Sequence, residues 1–275
     1  MVCSFETIKI YFCAKSEIVM KKLLFFAVLL NLVTHVWSST PELKELMRQS
    51  QPFDRGVPLS ASVDALITSK KGKETLMKYN MYTLRGEGKI NVMIAFSAPN
   101  SFDGTRILTS VPEEGGIPGV SIKFKSFFAI MKIPFVNSDM SFFGMDFNTG
   151  DMNPRNPSFD TYTLLETTVL PDGSMAYVVE AFPIEEKLYD RIVHYVDIEK
   201  KIITKSEMYN KKGEMVKLLE VLECVPVQDI WTATQVRMQD LKSGSNTVLS
   251  FKSVVYYGDY TSYVNEDFLK TGEPQ

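Results

Sequence analysis

The chain has 275 residues, of which 45% are hydrophobic, and its 30 basic and 33 acidic side chains give a formal net charge of −3. This slightly acidic composition argues against a nucleic-acid partner, because nucleic-acid-binding domains usually carry a clear basic excess. The length allows one large domain or two small ones. No Pro/Ser-rich linker or block of charge divides the chain, so we expect a single domain.

The N-terminal residues have the pattern of a secretory signal peptide. Residues 20–22 are Met-Lys-Lys, residues 23–37 form an apolar core, and Val36 and Ser38 are small enough for cleavage. A membrane anchor is the alternative, but the apolar run is shorter than the roughly 20 residues of a membrane span and contains polar residues. We therefore expect residues 1–38 to be leader and signal peptide, Met20 to be the true start, and the protein to be periplasmic.

Cleavage at this point leaves residues 39–275 as the mature domain. Four lysines and two glutamates leave with the leader, so 26 basic and 31 acidic side chains remain and the net charge is about −5. Cys3 and Cys13 are also lost, and Cys224 is the only cysteine left. An exported domain without an internal disulfide must derive its stability from its core.

A short amphipathic helix is predicted at the start of the mature domain. Thr40 is a suitable N-cap, and Pro41 is a suitable first helical residue. Leu43, Leu46 and Met47 then lie on one face of the helix, which predicts that this face packs against the rest of the domain.

Most of the remaining sequence is typical of an antiparallel all-β meander. Runs of β-branched and aromatic residues are separated by turn signals, for example at residues 171–173, 210–213 and 242–244. A sheet of this extent must close into a barrel or cover its inner face, and a hydrophobic hollow often results. The predicted strands are residues 59–68, 74–85, 89–96, 105–111, 120–127, 162–169, 175–182, 191–197, 202–209, 215–223, 231–240 and 247–256, and a last short helix is predicted at 265–270.

The segment from residue 127 to residue 159 differs from the strands around it. It is rich in Phe, Met and Ile but lacks clean alternation, so we predict irregular structure with a helical turn. A long apolar loop of this kind is usually functional. The alternative, that these side chains are ordinary core beneath a loop, stays open.

Several short motifs together resemble the LolA-like family of outer-membrane lipoprotein-sorting proteins. Each motif alone is common in β proteins, and the resemblance rests on their order and spacing from about residue 60 to the C-terminus. The motifs are Ser97-Ala98-Pro99, Gly104-Thr105-Arg106-Ile107-Leu108, Phe143-Gly144-Met145-Asp146-Phe147 followed by Asp151, Tyr162-Thr163-Leu164-Leu165 and Tyr209-Asn210-Lys211-Lys212-Gly213.

The resemblance implies a fold and a function. The fold would be all-β with short helices, a half-open antiparallel barrel of about 11–12 strands with a helical or loop lid, as in LolA and LolB. The function would be to carry a lipid or an acylated lipoprotein across the periplasm, from an inner-membrane transporter to an outer-membrane acceptor, without a cofactor. One departure is that Ile117-Pro118-Gly119 leads into a Lys/Phe-rich stretch where family members often have a Trp/Tyr/Pro-containing strand. The cargo or the release partner could therefore differ.

Phenylalanine and methionine are suitable for an acyl-chain cavity because they are bulky, adaptable and free of polar atoms. We take Gly104, Gly144, Asp146 and Asp151 as structural residues of the family motifs, with the two aspartates pinning the loop at the cavity mouth. The residues predicted to line or cover the cavity are Phe96, Ile107, Leu108, Phe124, Phe127, Phe128, Ile130, Phe135, Phe142, Phe143, Met145 and Phe147.

Catalytic and metal-binding patterns are not found in the sequence. His194 lies in a predicted strand without a nucleophile motif, and Cys224 lies in an apolar strand, so we expect neither to be catalytic. Asp139, Asp146, Asp151 and Asp160 lack the spacing of a calcium loop and are expected to form turn bonds. Lys123, Lys125 and Lys132 alternate with apolar residues; they are interpreted as a solvated strand face, with contact to lipid headgroups as the alternative.

The sequence therefore predicts a non-catalytic periplasmic carrier that binds an acyl chain in a hydrophobic cavity and transfers it between envelope components. The main alternative is an envelope scaffold or transporter-accessory protein that binds a protein partner at a sheet edge and carries no lipid. A hydrolase that uses carboxylates without a recognisable motif is a third, weaker alternative.

Overall fold

The computed structural model describes residues 37–38, 41–114, 118–133, 140–152, 155–184 and 188–275. Residues 38–275 form one compact unit. The predicted signal peptide, apart from Trp37 and Ser38, and the predicted capping residue Thr40 lie outside the described residues. Among the residues described, no helix is both long and apolar enough to cross a membrane.

Thirteen antiparallel strands follow the two-residue strand Trp37–Ser38 in the described part of the chain. Their order across the sheet is β7-β8-β9-β10-β11-β12-β13-β1-β2-β3-β4-β5-β6, so β7 and β6 are at opposite ends of this order, do not pair with each other, and leave the sheet unclosed. The strands are β1 (Leu59–Thr68), β2 (Glu74–Gly86), β3 (Lys89–Ala98), β4 (Arg106–Pro112), β5 (Gly119–Lys123), β6 (Met131–Ile133), β7 (Asp160–Val169), β8 (Met175–Pro183), β9 (Arg191–Asp197), β10 (Ile202–Tyr209), β11 (Met215–Val227), β12 (Ile230–Asp240) and β13 (Ser245–Tyr256).

Short helices complete the fold. They are α1 (Pro41–Gln49), α2 (Thr149–Met152), a 3-10 turn (Pro157–Phe159) and α3 (Glu266–Thr271). Leu43 and Met47 of α1 are buried, as the predicted apolar face requires. Burial of each such side chain stabilises the fold by about 1.5–3 kcal/mol. The prediction of an all-β, unclosed antiparallel sheet with short helices is confirmed.

Alternation along the strands explains why the sheet has one densely packed face. In β2, Met77, Tyr79 and Met81 are buried while the residues between them are exposed, as a period of two requires. The same inner face is buried on strands from β1 to β4 and from β7 to β13, and these side chains join into one cluster. The sheet therefore curves around a shared apolar interior.

A second, smaller core lies on the opposite face of the sheet. Met93 of β3 packs there against the C-terminal residues Tyr260, Val264, Phe268 and Leu269. The side chain of Asn265 accepts a hydrogen bond of 2.7 Å from the Phe268 amide at the start of α3. The predicted C-terminal helix thus forms and covers the outer face of the sheet rather than its interior.

Strand β5 is shorter than the predicted strand at residues 120–127. It ends at Lys123, whose Nζ donates hydrogen bonds to the carbonyl oxygens of Phe124 and Phe127. The amide of Phe127 also bonds the Phe124 carbonyl oxygen at 3.1 Å, so the chain turns at this point. The following predicted loop contains the short strand β6 and then α2, which agrees with irregular structure and a helical turn.

Candidate functional site

Two segments fill the interior that the sheet curves around. The first is the connection between α1 and β1, residues 50–58, and the second is residues 140–152, which we call the inner loop. They meet where the ring of Phe53 contacts Phe147, with 5.9 Å between ring centroids. Phe53 also contacts Phe251 on β13 at 5.8 Å. The two segments therefore pack against each other and against β13 over the interior.

Asp146 attaches the inner loop to the start of β13. The Asp146 amide donates to Thr247 Oγ1 at 2.9 Å, and Thr247 Oγ1 donates to the Asp146 carboxylate at 2.6 Å. The Ser245 hydroxyl also donates to this carboxylate. A buried carboxylate needs such partners, because an unpaired charge in the interior is costly. These bonds fix the inner loop to one edge of the interior.

A buried lysine holds the other half of the inner loop. Lys217 of β11 donates to Asn148 Oδ1 at 2.8 Å, to Asp151 Oδ2 at 3.3 Å and to the carbonyl oxygen of Asp146. Asp151 also accepts bonds of 2.8 Å from the Asn148 amide and 2.9 Å from the Tyr189 hydroxyl. Burial raises the pKa of Asp151, while the nearby ammonium of Lys217 acts in the opposite direction.

The inner loop adopts a left-handed backbone at Phe143 and Gly144, with φ of 52° and 81°. Glycine adopts this conformation freely, but phenylalanine does so at a cost. The cost is offset by packing, because the Phe143 ring lies 4.9 Å from Phe96, 5.3 Å from Phe102 and 5.1 Å from Phe142, measured between centroids. The left-handed backbone of the motif thus directs the Phe143 ring toward an aromatic cluster on β3 and the loop that follows it.

Tyr79 extends this cluster on β2. Its ring lies 5.3 Å from Phe96, and its hydroxyl is buried without a hydrogen-bond partner among the described residues. Burial also raises the pKa of Tyr79, so the hydroxyl keeps its proton. A buried donor without a partner is rare in folded proteins and marks a place where a polar ligand group could bind.

Three cavities surround Phe53, with volumes of about 80, 20 and 10 Å³. The largest is mainly apolar and lies against β9 to β12, where Ile192, Met208, Leu219 and Met238 line it. It is large enough for several water molecules. Phe53 is the residue that lines all three of these cavities.

The largest cavity also has a polar wall that the sequence did not indicate. His194 on β9 faces it, and its Nδ1 lies 2.8 Å from Ser206 Oγ. Burial lowers the pKa of His194 to about 4, so the imidazole is neutral near pH 7. Arg155 and Asp160 form an ion pair of 2.6 Å close to this histidine. The wall therefore combines a neutral imidazole with a paired charge.

The structure divides the predicted cavity residues into three groups. Phe96, Ile107, Phe142, Met145 and Phe147 are buried in the main core, and Phe143 packs against it. Leu108 and Ile130 pack instead against the second core on the outer face.

The third group lies away from both cores. Phe124 is half-buried beside Phe127, whereas Phe127 and Phe128 are exposed. Phe135 lies outside the described residues. The structure therefore brings six of the twelve predicted residues to the main core and places Phe127 and Phe128 on the surface.

Phe53 is the main interior residue that sequence reasoning missed. It stands alone in a polar stretch between Pro52 and Asp54, so no hydrophobic periodicity predicts that its side chain is in the interior. The only available signal was its position directly after an amphipathic helix. Among the described residues, no group of three or more His, Cys, Asp or Glu side chains is arranged to hold a metal ion.

Comparison with solved structures shows the same architecture. A DUF1329 family protein from Desulfovibrio piger superposes with a TM-score of 0.74 at 23% identity, covering 83% of this chain and 96% of that one. A domain from Vibrio parahaemolyticus assigned to outer membrane lipoprotein sorting gives 0.73 at 19% identity, with coverage of 83% and 97%. A LolA superfamily protein from Nitrosomonas europaea gives 0.63 at 19% identity, with coverage of 82% and 97%.

This chain therefore shares its fold with a LolA superfamily protein and with a domain assigned to outer membrane lipoprotein sorting. A family model described only as an uncharacterized protein matches residues 88–270, which is more than half of the 275 residues. The chain therefore belongs to that family. No curated protein matches the chain by sequence.

Proposed function

We propose that this protein is a periplasmic, non-catalytic carrier that binds a lipid or lipoprotein acyl chain in its interior and transfers it between envelope components. The observation that carries the proposal is the apolar interior of an unclosed sheet, into which the inner loop and the α1–β1 connection pack. The LolA-like fold supports a carrier role in general. The predicted signal peptide supports the periplasmic location.

The cargo would enter by displacing the segments that now fill the interior. Phe53 is the side chain to move, since it borders all three cavities and its departure would join them. Each methylene of an acyl chain buried in its place contributes about 0.8 kcal/mol to binding. Burial of an acyl chain of many methylenes can therefore offset the packing energy that is lost when Phe53 moves.

The aromatic cluster would hold the polar end of the chain. The unpartnered Tyr79 hydroxyl can donate a hydrogen bond to an ester or carboxyl oxygen, which would satisfy the group that is now unpaired. Phe96 and Phe143, packed 4.9 Å apart beside it, would contact the first methylenes. Such a site binds cargo without covalent chemistry, as a carrier requires.

Replacement of Phe143 by aspartate tests the proposal. Aspartate tolerates the left-handed backbone at this position, so the fold should survive with a modest drop in melting temperature. Binding of a fluorescent fatty acid should fall by more than about a hundredfold, because an unpaired charge facing hydrocarbon costs several kcal/mol.

Val169→Asp, which adds the same charge at an exposed site on β7, is the matched control and should bind normally. A Phe143→Asp protein that melts normally and still binds the fatty acid would remove the inner loop from the site. Global unfolding of Phe143→Asp would instead assign the residue to ordinary core.

A further inference from the structure

The hairpin tip between β5 and β6 exposes two adjacent aromatic side chains. Phe127 is 59% exposed and Phe128 is 105% exposed, which means that Phe128 contacts almost nothing in the described protein. Most exposed apolar residues in proteins stand singly and need no explanation. Two neighbouring phenylalanines on a protruding turn are unusual, and exposed apolar groups of this kind mark interaction sites.

The same hairpin is basic in a chain that is acidic overall. Residues 119–133 contain Lys123, Lys125 and Lys132 and no acidic residue, whereas the whole chain has a net charge of −3. The side chains of Lys125 and Lys132 are each 70% exposed. Their ion pairs, with Asp103 at 2.6 Å and Glu266 at 3.2 Å, are at the surface. Surface ion pairs contribute little to folding stability, so these lysines can form new contacts at low cost.

The tip is held in a defined shape. Lys123 Nζ bonds the carbonyl oxygens of Phe124 and Phe127, which closes the turn from within. The ring of Phe124 lies 6.0 Å from that of Phe127 in an edge-on contact. The aliphatic part of Lys125 packs against Gly104, where an added Cβ would lie only 3.1 Å from it. A turn whose conformation is already fixed loses less conformational freedom on binding than a flexible turn does.

Contacts connect the tip to the covered interior. Lys125 pairs with Asp103, and the adjacent Phe102 lies 5.3 Å from Phe143 of the inner loop. The tip and the inner loop therefore both contact one short connection, residues 99–105. A surface that docks through the tip would lie beside the aromatic cluster.

We propose that this tip is a membrane-docking surface, at which Phe127 and Phe128 insert into the interface of a bilayer and the lysines contact anionic headgroups. Aromatic side chains favour that interface, and each Lys near an anionic surface adds to the attraction. A protein partner is less favoured because the tip protrudes and offers little area. This proposal does not depend on acyl-chain binding in the interior.

Vesicle flotation tests the proposal with the mature protein. The protein should float with vesicles of phosphatidylethanolamine and phosphatidylglycerol, and less with phosphatidylcholine alone. Phe127→Ser/Phe128→Ser should weaken vesicle binding at least about tenfold, since each phenylalanine loses its burial in lipid. Because both side chains are exposed, the melting temperature should not change.

Two further variants complete the experiment. Val169→Ser, which removes an exposed apolar side chain on β7, should bind vesicles as the parent does. Phe143→Asp should also float, which would separate docking from uptake of lipid into the interior. The proposal is overturned if the double serine variant binds as tightly as the parent. A parent that never floats would also overturn it, and would leave the tip as a surface for a protein partner.

Discussion

Replacing Lys217 with methionine is expected to lower the free energy of unfolding by about 3–5 kcal/mol. The substitution keeps the length of the side chain but leaves the buried carboxylate of Asp151 without its cation. It also removes the donor to Asn148 Oδ1 and to the Asp146 carbonyl oxygen, so the inner loop loses its attachment to β11. Urea unfolding followed by circular dichroism measures the change.

Lys252→Met is the matched control, because Lys252 forms a comparable pair with Asp64 at 2.6 Å on the surface. Exposed pairs contribute about 0–1 kcal/mol, so this variant should unfold almost as the parent does. Adding Asp151→Asn to Lys217→Met should restore part of the loss by removing the stranded charge. Equal effects of the two lysine variants would show that Lys217 does not hold the inner loop as described.

Acidification is expected to destabilise the domain through His194. The pKa of His194 is about 4 in the folded protein, lowered by burial, against 6.5 in the unfolded chain. The unfolded chain therefore binds the proton first, and stability falls as the pH drops from 6.5 to about 4. The full loss from this one group is about 3 kcal/mol, since one pKa unit corresponds to about 1.4 kcal/mol.

The comparison of the parent with His194→Gln isolates this effect. Glutamine can still bond Ser206 but does not titrate, so its unfolding free energy should fall less between pH 6.5 and 4. Asp151 acts in the opposite direction because burial raises its pKa, and it contributes equally to both proteins. The Asp160 and Arg155 charges near His194 are also common to both. Parallel pH profiles for the two proteins would contradict the buried, neutral histidine.

Strand positions could be predicted from the sequence because the physical signals are local. The bounds of β1, β9 and β10 coincide with the predicted residues 59–68, 191–197 and 202–209. Strand β1 alternates in burial over most of its length, and each of the three strands is followed by a turn. The Asn210 to Gly213 turn after β10 is one such signal, and it forms with a bond of 2.9 Å between the Gly213 amide and the Asn210 carbonyl oxygen.

The site was predictable only in part because it depends on contacts between distant residues. Hydrophobicity correctly marked residues 127–147 as unusual, but it does not distinguish the buried Phe147 from the exposed Phe128. That difference arises from the turn that Lys123 closes, since the chain leaves the sheet there. Likewise, Lys217 and Asp151 lie 66 residues apart, and nothing local in the sequence pairs them.

The most direct test of the carrier function is native mass spectrometry of protein purified gently from the periplasm. We expect the mature protein to carry bound lipid or another acylated species at about one chain per protein, and we expect the mass to return to that of the bare polypeptide after delipidation. The Phe143→Asp variant, purified in parallel, should be empty. An empty parent protein that instead co-purifies with a stoichiometric protein partner, and that takes up no acyl chain when one is added, would contradict the carrier function and favour an envelope scaffold.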